Sequence, residues 1–173
     1  MRITGSWVAI LTPFNEDGKI NFEGFKELID FHKKYSTDGL LVLGSAGETS
    51  MLTKKEKQEI IEFVSGYSRD KIPILVGTTS SNTLETIIMT KFAKKCGVEA
   101  VVMIVPPYIR PSQEDIYNFF REIATLPINL LPMETSSPIT ITPPSSISKK
   151  HTYATLFTIF PGAVLFSSVT INS

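Results

Sequence analysis

Short apolar runs without polar alternation, separated by amphipathic stretches of about a dozen residues, recur through this chain as far as residue 131. That rhythm restricts the fold more than any other feature. A strand that is apolar on both sides has to be covered on both faces, and a helix between two such strands is the usual parallel crossover. The runs are Trp7-Val8-Ala9-Ile10-Leu11, Leu40-Leu41-Val42-Leu43, Ile72-Pro73-Ile74-Leu75-Val76, Ala100-Val101-Val102-Met103-Ile104-Val105 and Ile128-Asn129-Leu130-Leu131. They return at intervals of roughly 30 residues, the size of one βα unit.

The stretches between them carry helix signals. From Asn21, the positions Phe22, Phe25, Leu28, Ile29, His32 and Tyr35 share one helical face, and Gly39 stops the segment. Thr53 with Glu56 predicts a capping box ahead of Ile60, Ile61, Phe63 and Val64. Asn82 with Glu85 caps a stripe of Leu84, Ile87, Ile88, Phe92, Ala93 and Cys96, and Ser112 with Asp115 caps Ile116, Phe119, Phe120, Ile123 and Ala124. An α/β fold follows. Periodicity alone does not separate a closed barrel from an open doubly wound sheet.

Gly44-Ser45-Ala46-Gly47-Glu48-Thr49 joins the second strand to the helix after Thr53. Two glycines able to take positive φ, a hydroxyl and an acid predict a concave turn whose successive amides converge on one point. Such a nest suits a carboxylate or a phosphate; an ordinary βα connection is the alternative. Net charge is zero, so neither a nucleic-acid partner nor an anionic membrane surface is expected. The lone Cys96 excludes an internal disulfide and a cysteine metal cluster, and fits a reducing compartment. Met1-Arg2-Ile3-Thr4-Gly5 does not open a signal peptide, and no apolar run reaches the roughly 18 residues of a membrane span. A cytoplasmic location with no membrane partner is the expectation.

Taken in order, several segments resemble the dihydrodipicolinate synthase / N-acetylneuraminate lyase family of pyruvate-dependent class I aldolases. They are Gly5-Ser6-Trp7-Val8-Ala9-Ile10-Leu11-Thr12-Pro13-Phe14, Gly44-Ser45-Ala46-Gly47-Glu48, Leu52-Thr53-Lys54-Lys55-Glu56, Ile74-Leu75-Val76-Gly77 and Pro106-Pro107-Tyr108-Ile109-Arg110-Pro111-Ser112-Gln113-Glu114. The resemblance implies a (β/α)8 TIM barrel, a homodimer or tetramer, and no cofactor or metal. It also implies a reaction in which a lysine amine forms a Schiff base with pyruvate, whose enamine then adds to an aldehyde or is released by the reverse cleavage. By resemblance Ser45, Ala46 and Gly47 hold the pyruvate carboxylate, with Ser45 and Tyr108 in a hydroxyl relay. Ala46 stands where the family often has a second threonine. Thr78 and Thr79 read as structural caps, and Glu48 as a loop acid.

The chain departs from that pattern after residue 131. The family's relay tyrosine follows the fifth strand in a Tyr-Asn-x-Pro context, whereas Leu130-Leu131 leads here into Pro132-Met133-Glu134. No lysine beyond residue 131 has the Gly-x-Lys context of the Schiff-base residue. Lys149-Lys150 is a hydrophilic pair beside no recognisable strand, and Tyr153 lies too far on to replace the tyrosine. Lys54, Lys91 and Lys94 belong to polar helix faces. Residues 132–173 are rich in Ser, Thr and Pro, then apolar, and Glu134 is the last carboxylate side chain. A complete barrel takes about 250 residues. The reading is therefore an incomplete barrel of about four and a half βα units over 1–131, followed by a divergent tail over 132–173, for which a frame shift is the hypothesis. Its alternatives in function are a lyase, an inactive remnant that binds a small carboxylate, and a doubly wound binding module.

Overall fold

The computed structural model describes residues 4–106, 110–133, 153–160 and 163–170, with side chains in the first range and over 110–129. Its seven strands lie in one sheet in chain order: β1 (Trp7–Ala9), β2 (Gly39–Val42), β3 (Ile74–Gly77), β4 (Ala100–Ile104), β5 (Asn129–Met133), β6 (Tyr153–Phe160) and β7 (Ala163–Thr170). Neighbours from β1 to β6 are parallel, and β7 returns antiparallel to β6. Helices α1 (Phe22–Lys34), α2 (Lys54–Ser68), α3 (Thr83–Lys95) and α4 (Gln113–Ala124) link the first five strands.

Strand order and burial together decide the architecture. In the strands, Leu40, Val42, Ile74, Val76, Val101 and Met103 pack with helix residues such as Phe25, Ile29, Ile60, Ile61, Val64 and Ile123. Their neighbours Leu41, Leu75, Ala100 and Val102 turn the other way and cluster with Trp7. Residues that read as uniformly apolar thus divide with period two between a helix-covered face and an inner face. Four helices on one face of a sheet in sequential order make an incomplete (β/α)8 barrel, without the order reversal of a doubly wound fold. Burial of each large aliphatic or aromatic side chain in the outer layer stabilises it by about 1.5–3 kcal/mol.

Local sequence sets the helix starts. Thr53 and Glu56 form a reciprocal capping box on α2, as do Ser112 and Asp115 on α4. Asn82 Oδ1 accepts from the Glu85 amide at 3.2 Å, opening α3. Two stripes differ from the periodic reading. Tyr35 is 63% exposed because α1 has already ended and its ring packs on Phe31. On α3 the buried residues are Thr86, Met89, Thr90 and Ala93, while Leu84 and Ile88 remain exposed. The physical reason is local hydrogen bonding: Thr90 Oγ1 donates to Thr78 Oγ1 at 3.0 Å, and Thr86 Oγ1 accepts from the Ser80 amide at 3.0 Å.

Strand ends move as well. β1 stops at Ala9, although the Ile10 amide still donates to Leu41 O at 3.0 Å. β3 starts at Ile74 because the Ile72 amide is taken by Ser68 O at the end of α2. β5 runs on to Met133, opposite Ile104. No element was assigned by sequence to the apolar end of the chain, where β6 and β7 form a hairpin in register from Phe160↔Ala163 to Tyr153↔Thr170. β-branched and aromatic residues favour strands, and Pro161-Gly162 between them is turn chemistry. This segment carries neither helical capping nor helical periodicity.

Two features steady the framework around β2. Tyr67 on α2 donates its hydroxyl to Asp30 Oδ2 on α1 at 2.7 Å. Lys71 reaches Asp30 Oδ1 at 3.1 Å and lies 3.4 Å from the Tyr67 ring centroid. The Tyr67 hydrogen bond, and then Lys71, hold the Asp30 carboxyl below the usual carboxylate range. Its folded pKa is thus below its unfolded one, so its contribution is present above the unfolded value, about pH 4, and is lost as pH falls through the folded value. Asp30→Asn is expected to flatten the acid limb of stability below about pH 4, read from urea midpoints across pH; an unchanged limb would rule out this linkage. At the start of β2, a methyl group on Gly39 would lie 2.2 Å from Cζ3 of Trp7, whose indole N–H donates to Thr4 O at 3.1 Å. Gly39→Ala should destabilise the fold by about 1–3 kcal/mol in urea unfolding followed by circular dichroism.

Candidate functional site

The C-terminal ends of β1, β2 and β3 converge on the Gly44–Thr49 turn. Leu43, at the end of β2, takes left-handed backbone geometry with φ 57°, and it is 2% exposed. The chain then forms one turn of 3-10 helix over Ser45–Gly47 and a second over Thr49–Met51. The Gly47 amide donates to Gly44 O and the Glu48 amide to Ser45 O, each at 3.1 Å. The amides of Ser45 and Ala46, at the start of this turn, meet no protein acceptor among the described residues. Ser45 and Ala46 are exposed; Gly47 is buried.

The sequence reading assigned the turn's curvature to positive φ at Gly44 and Gly47. The structure places it elsewhere. Gly44 is extended at φ −76°, Gly47 is not among the residues with positive φ, and the left-handed residues are Leu43 and Glu48, at 57° and 53°. Glycine is needed instead on the neighbouring strand. A Cβ on Gly77 would lie 2.2 Å from Leu43 O and 2.9 Å from Leu43 C, so only a bare Cα lets the β2 turn close over the end of β3. Gly47 is less confined, with Thr12 Oγ1 and Ile10 O at 3.3 and 3.4 Å from a would-be Cβ, a tight contact rather than a clash.

Three contributors belong to segments that the sequence marks, but their part in the turn does not show in the motifs. Thr12, 6% exposed, donates its hydroxyl to Gly47 O at 2.6 Å. Leu43 supplies the left-handed bend, and Gly77 supplies the space. The available signal was topological: parallel strands end side by side, so a Thr-Pro at one end faces the next loop. Thr78 and Thr79 serve the scaffold. Thr78 accepts from Thr90, and Thr79 Oγ1 accepts the Ile104 amide at 2.9 Å. Glu48 is exposed and its backbone closes both 3-10 turns.

Tyr108 lies outside the described residues, as do Lys149 and Lys150. Lys54, Lys91 and Lys94 are exposed helical residues, and none of the described lysines lies in a strand. Burial, the largest cause, raises the Cys96 thiol above its ordinary pKa, which keeps it protonated and a poor nucleophile. Among the described residues no helix is long and apolar enough to cross a membrane, and no group of three or more His, Cys, Asp or Glu is placed to hold a metal ion.

A one-sided run of βα units in sequential order, with the Gly44–Thr49 turn at the C-terminal end of the sheet, defines an incomplete barrel of the (β/α)8 class, the end at which sites are built in that fold. The chain belongs to the dihydrodipicolinate synthetase family, whose sequence model matches residues 2–139. It is 38% identical to the 4-hydroxy-tetrahydrodipicolinate synthase of Sulfurihydrogenibium sp. (strain YO3AOP1) over 171 residues, covering 97% of this chain and 56% of that protein. With the synthase of Neisseria meningitidis serogroup B (strain MC58) it is 39% identical over 122 residues, or 70% and 42% of the two. The chloride-inhibited dihydrodipicolinate synthase of Acinetobacter baumannii, solved in complex with pyruvate, superposes with a TM-score of 0.75 at 32% identity over 78% of this chain and 46% of that one. The chain therefore spans about half the length of the relatives it matches.

Gly77→Ala is expected to destabilise the fold by about 1–3 kcal/mol and to shift the amide resonances of Ser45 and Ala46, because the new methyl meets backbone rather than a mobile side chain. Unmoved resonances in a folded variant would show that Gly77 does not shape the turn.

Proposed function

We propose that this chain carries the carboxylate-holding half of a Schiff-base lyase that joins or cleaves pyruvate and an aldehyde, in the manner of a 4-hydroxy-tetrahydrodipicolinate synthase. The observation that carries the reading is the pair of free amides at Ser45 and Ala46, beside the Ser45 hydroxyl, at the C-terminal end of β2. Two N–H donors and a hydroxyl are matched to a carboxylate's two oxygens, and charge-assisted hydrogen bonds of this kind are among the strong ones. The pyruvate complex of the Acinetobacter relative supports the choice of ligand. Ser45, Ala46 and Gly47 are the proposed binding residues, with Ser45 and Tyr108 the proposed proton relay.

In the proposed full reaction, a lysine amine adds to the ketone carbon of pyruvate and water leaves. The resulting imine draws electrons from the methyl group, which becomes the nucleophile. No strand among the described residues supplies a lysine, and none after residue 131 has the family's context. We therefore assign this chain binding of a 2-oxo carboxylate with little or no turnover, the inactive remnant being favoured over the active lyase. A homodimer or tetramer and a cytoplasmic location belong to the same reading, by likeness to the family.

The boundary near residue 131 belongs to this proposal too. The family match ends at 139, whereas the Sulfurihydrogenibium alignment runs over 171 residues. Translating the coding DNA in the other frames past residue 131 is expected to expose a Tyr-Asn-Pro segment and a Gly-x-Lys strand; finding neither removes the frame-shift explanation.

The direct test is intact mass after incubation with pyruvate and borohydride, alongside an NMR titration with pyruvate. Shifts at the Ser45 and Ala46 amides without a reduced pyruvyl adduct are expected. A stoichiometric adduct would place a reactive lysine in this chain and overturn the inactive assignment. No shift at either amide would sink the carboxylate reading.

A further inference from the structure

The exit of the 3-10 turn is fixed from outside by one side chain. Gly47 O is the last carbonyl of that turn and makes its hydrogen bond to Thr12, from the connection after β1, at 2.6 Å. Thr12 is buried, and the backbone of Ile10 closes against Gly47 from the same side. The turn itself is a single hydrogen-bonded ring system: Gly44 O and Ser45 O receive the amides of Gly47 and Glu48. Three residues in such a ring have little freedom to rotate independently. Pinning the peptide after Gly47 therefore sets the direction in which the amides of Ser45 and Ala46 point.

We infer that Thr12 is the positioning residue of the carboxylate turn, orienting the Ser45 and Ala46 amides through its hydrogen bond to Gly47 without touching the ligand. The inference rests on the carboxylate reading of that turn. A hydroxyl in this place has a structural use as well, since a buried carbonyl without a donor is costly. The two uses separate by experiment, because a purely structural hydrogen bond affects melting and leaves amide direction alone.

Thr12→Val keeps the shape and removes the donor, whereas Thr12→Ser keeps the donor. Pyruvate titrations of wild type and both variants, followed by the Ser45 and Ala46 amide resonances, are expected to give affinity about three- to tenfold weaker for Thr12→Val, the scale of one hydrogen bond, and recovery in Thr12→Ser. Amide exchange at Ser45 to Glu48 without ligand should quicken in Thr12→Val and return in Thr12→Ser. Equal pyruvate affinity in a folded Thr12→Val would overturn the inference. If wild type binds no pyruvate, the carboxylate reading fails and the exchange data alone judge Thr12: unchanged exchange rejects it, and quickened exchange retains it as the organiser of a turn with another ligand. Should Thr12→Val not fold, Thr12→Ala and Thr12→Ser are compared by the same two readouts.

Discussion

The carbonyl oxygen of Leu43 occupies the space that a side chain at position 77 would fill. A left-handed residue other than glycine costs about 1–2 kcal/mol, and Leu43 holds that geometry while its side chain is buried in the helix-covered core. Burial of a leucine offsets a strain of this size. The bend makes the chain leave β2 sideways, over the end of β3, so that the next three residues coil into the 3-10 turn. Had the chain continued straight, the amides of Ser45 and Ala46 would have extended the β ladder. A contact between two backbones thus ends the ladder at β2 and starts the 3-10 turn.

What the sequence disclosed, it disclosed through local rules. The capping boxes at Thr53–Glu56 and Ser112–Asp115, and the existence of the first five strands, follow from nearest-neighbour chemistry and from apolar runs too uniform to be half-exposed. The sequential strand order and the one-sided helices follow from the family resemblance and not from periodicity, because chain order carries no information about which face a crossover takes until strand neighbours are known. At the turn, Ser45, Ala46 and Gly47 were legible as a motif, but its mechanics were not. The glycines of Gly44-Ser45-Ala46-Gly47 invite a positive φ that Leu43 and Glu48 adopt instead, and the glycine that matters for clearance is Gly77, on another strand. Thr12 was likewise unreadable: its partner is 35 residues away, and only strand adjacency brings them together.

The α3 helix shows how tertiary demand displaces a hydrophobic stripe. Leucine and isoleucine at 84 and 88 outrank threonine on any apolar scale, yet Thr86 and Thr90 are fully buried. Each of those hydroxyls reaches the β3–α3 connection: Thr90 donates to the buried Thr78 hydroxyl, and Thr86 accepts from the Ser80 amide and donates to Asn82 O. The helix rotates to satisfy them. The rotation also keeps β3 and its connection close to β4, through Thr79 and the Ile104 amide.

Trp7 is the chain's one tryptophan, and it lies across Gly39 at the start of β2. Roughly 13 Å of strand, at about 3.3 Å per residue, separates it from Leu43 and the turn beyond. Indole emission in this protein is consequently an optical gauge of the N-terminal end of the sheet. It reports whether the packing of Trp7 on β2 is intact and dry, at a distance from the Gly44–Thr49 turn. Integrity of the scaffold can therefore be followed separately from events at that turn.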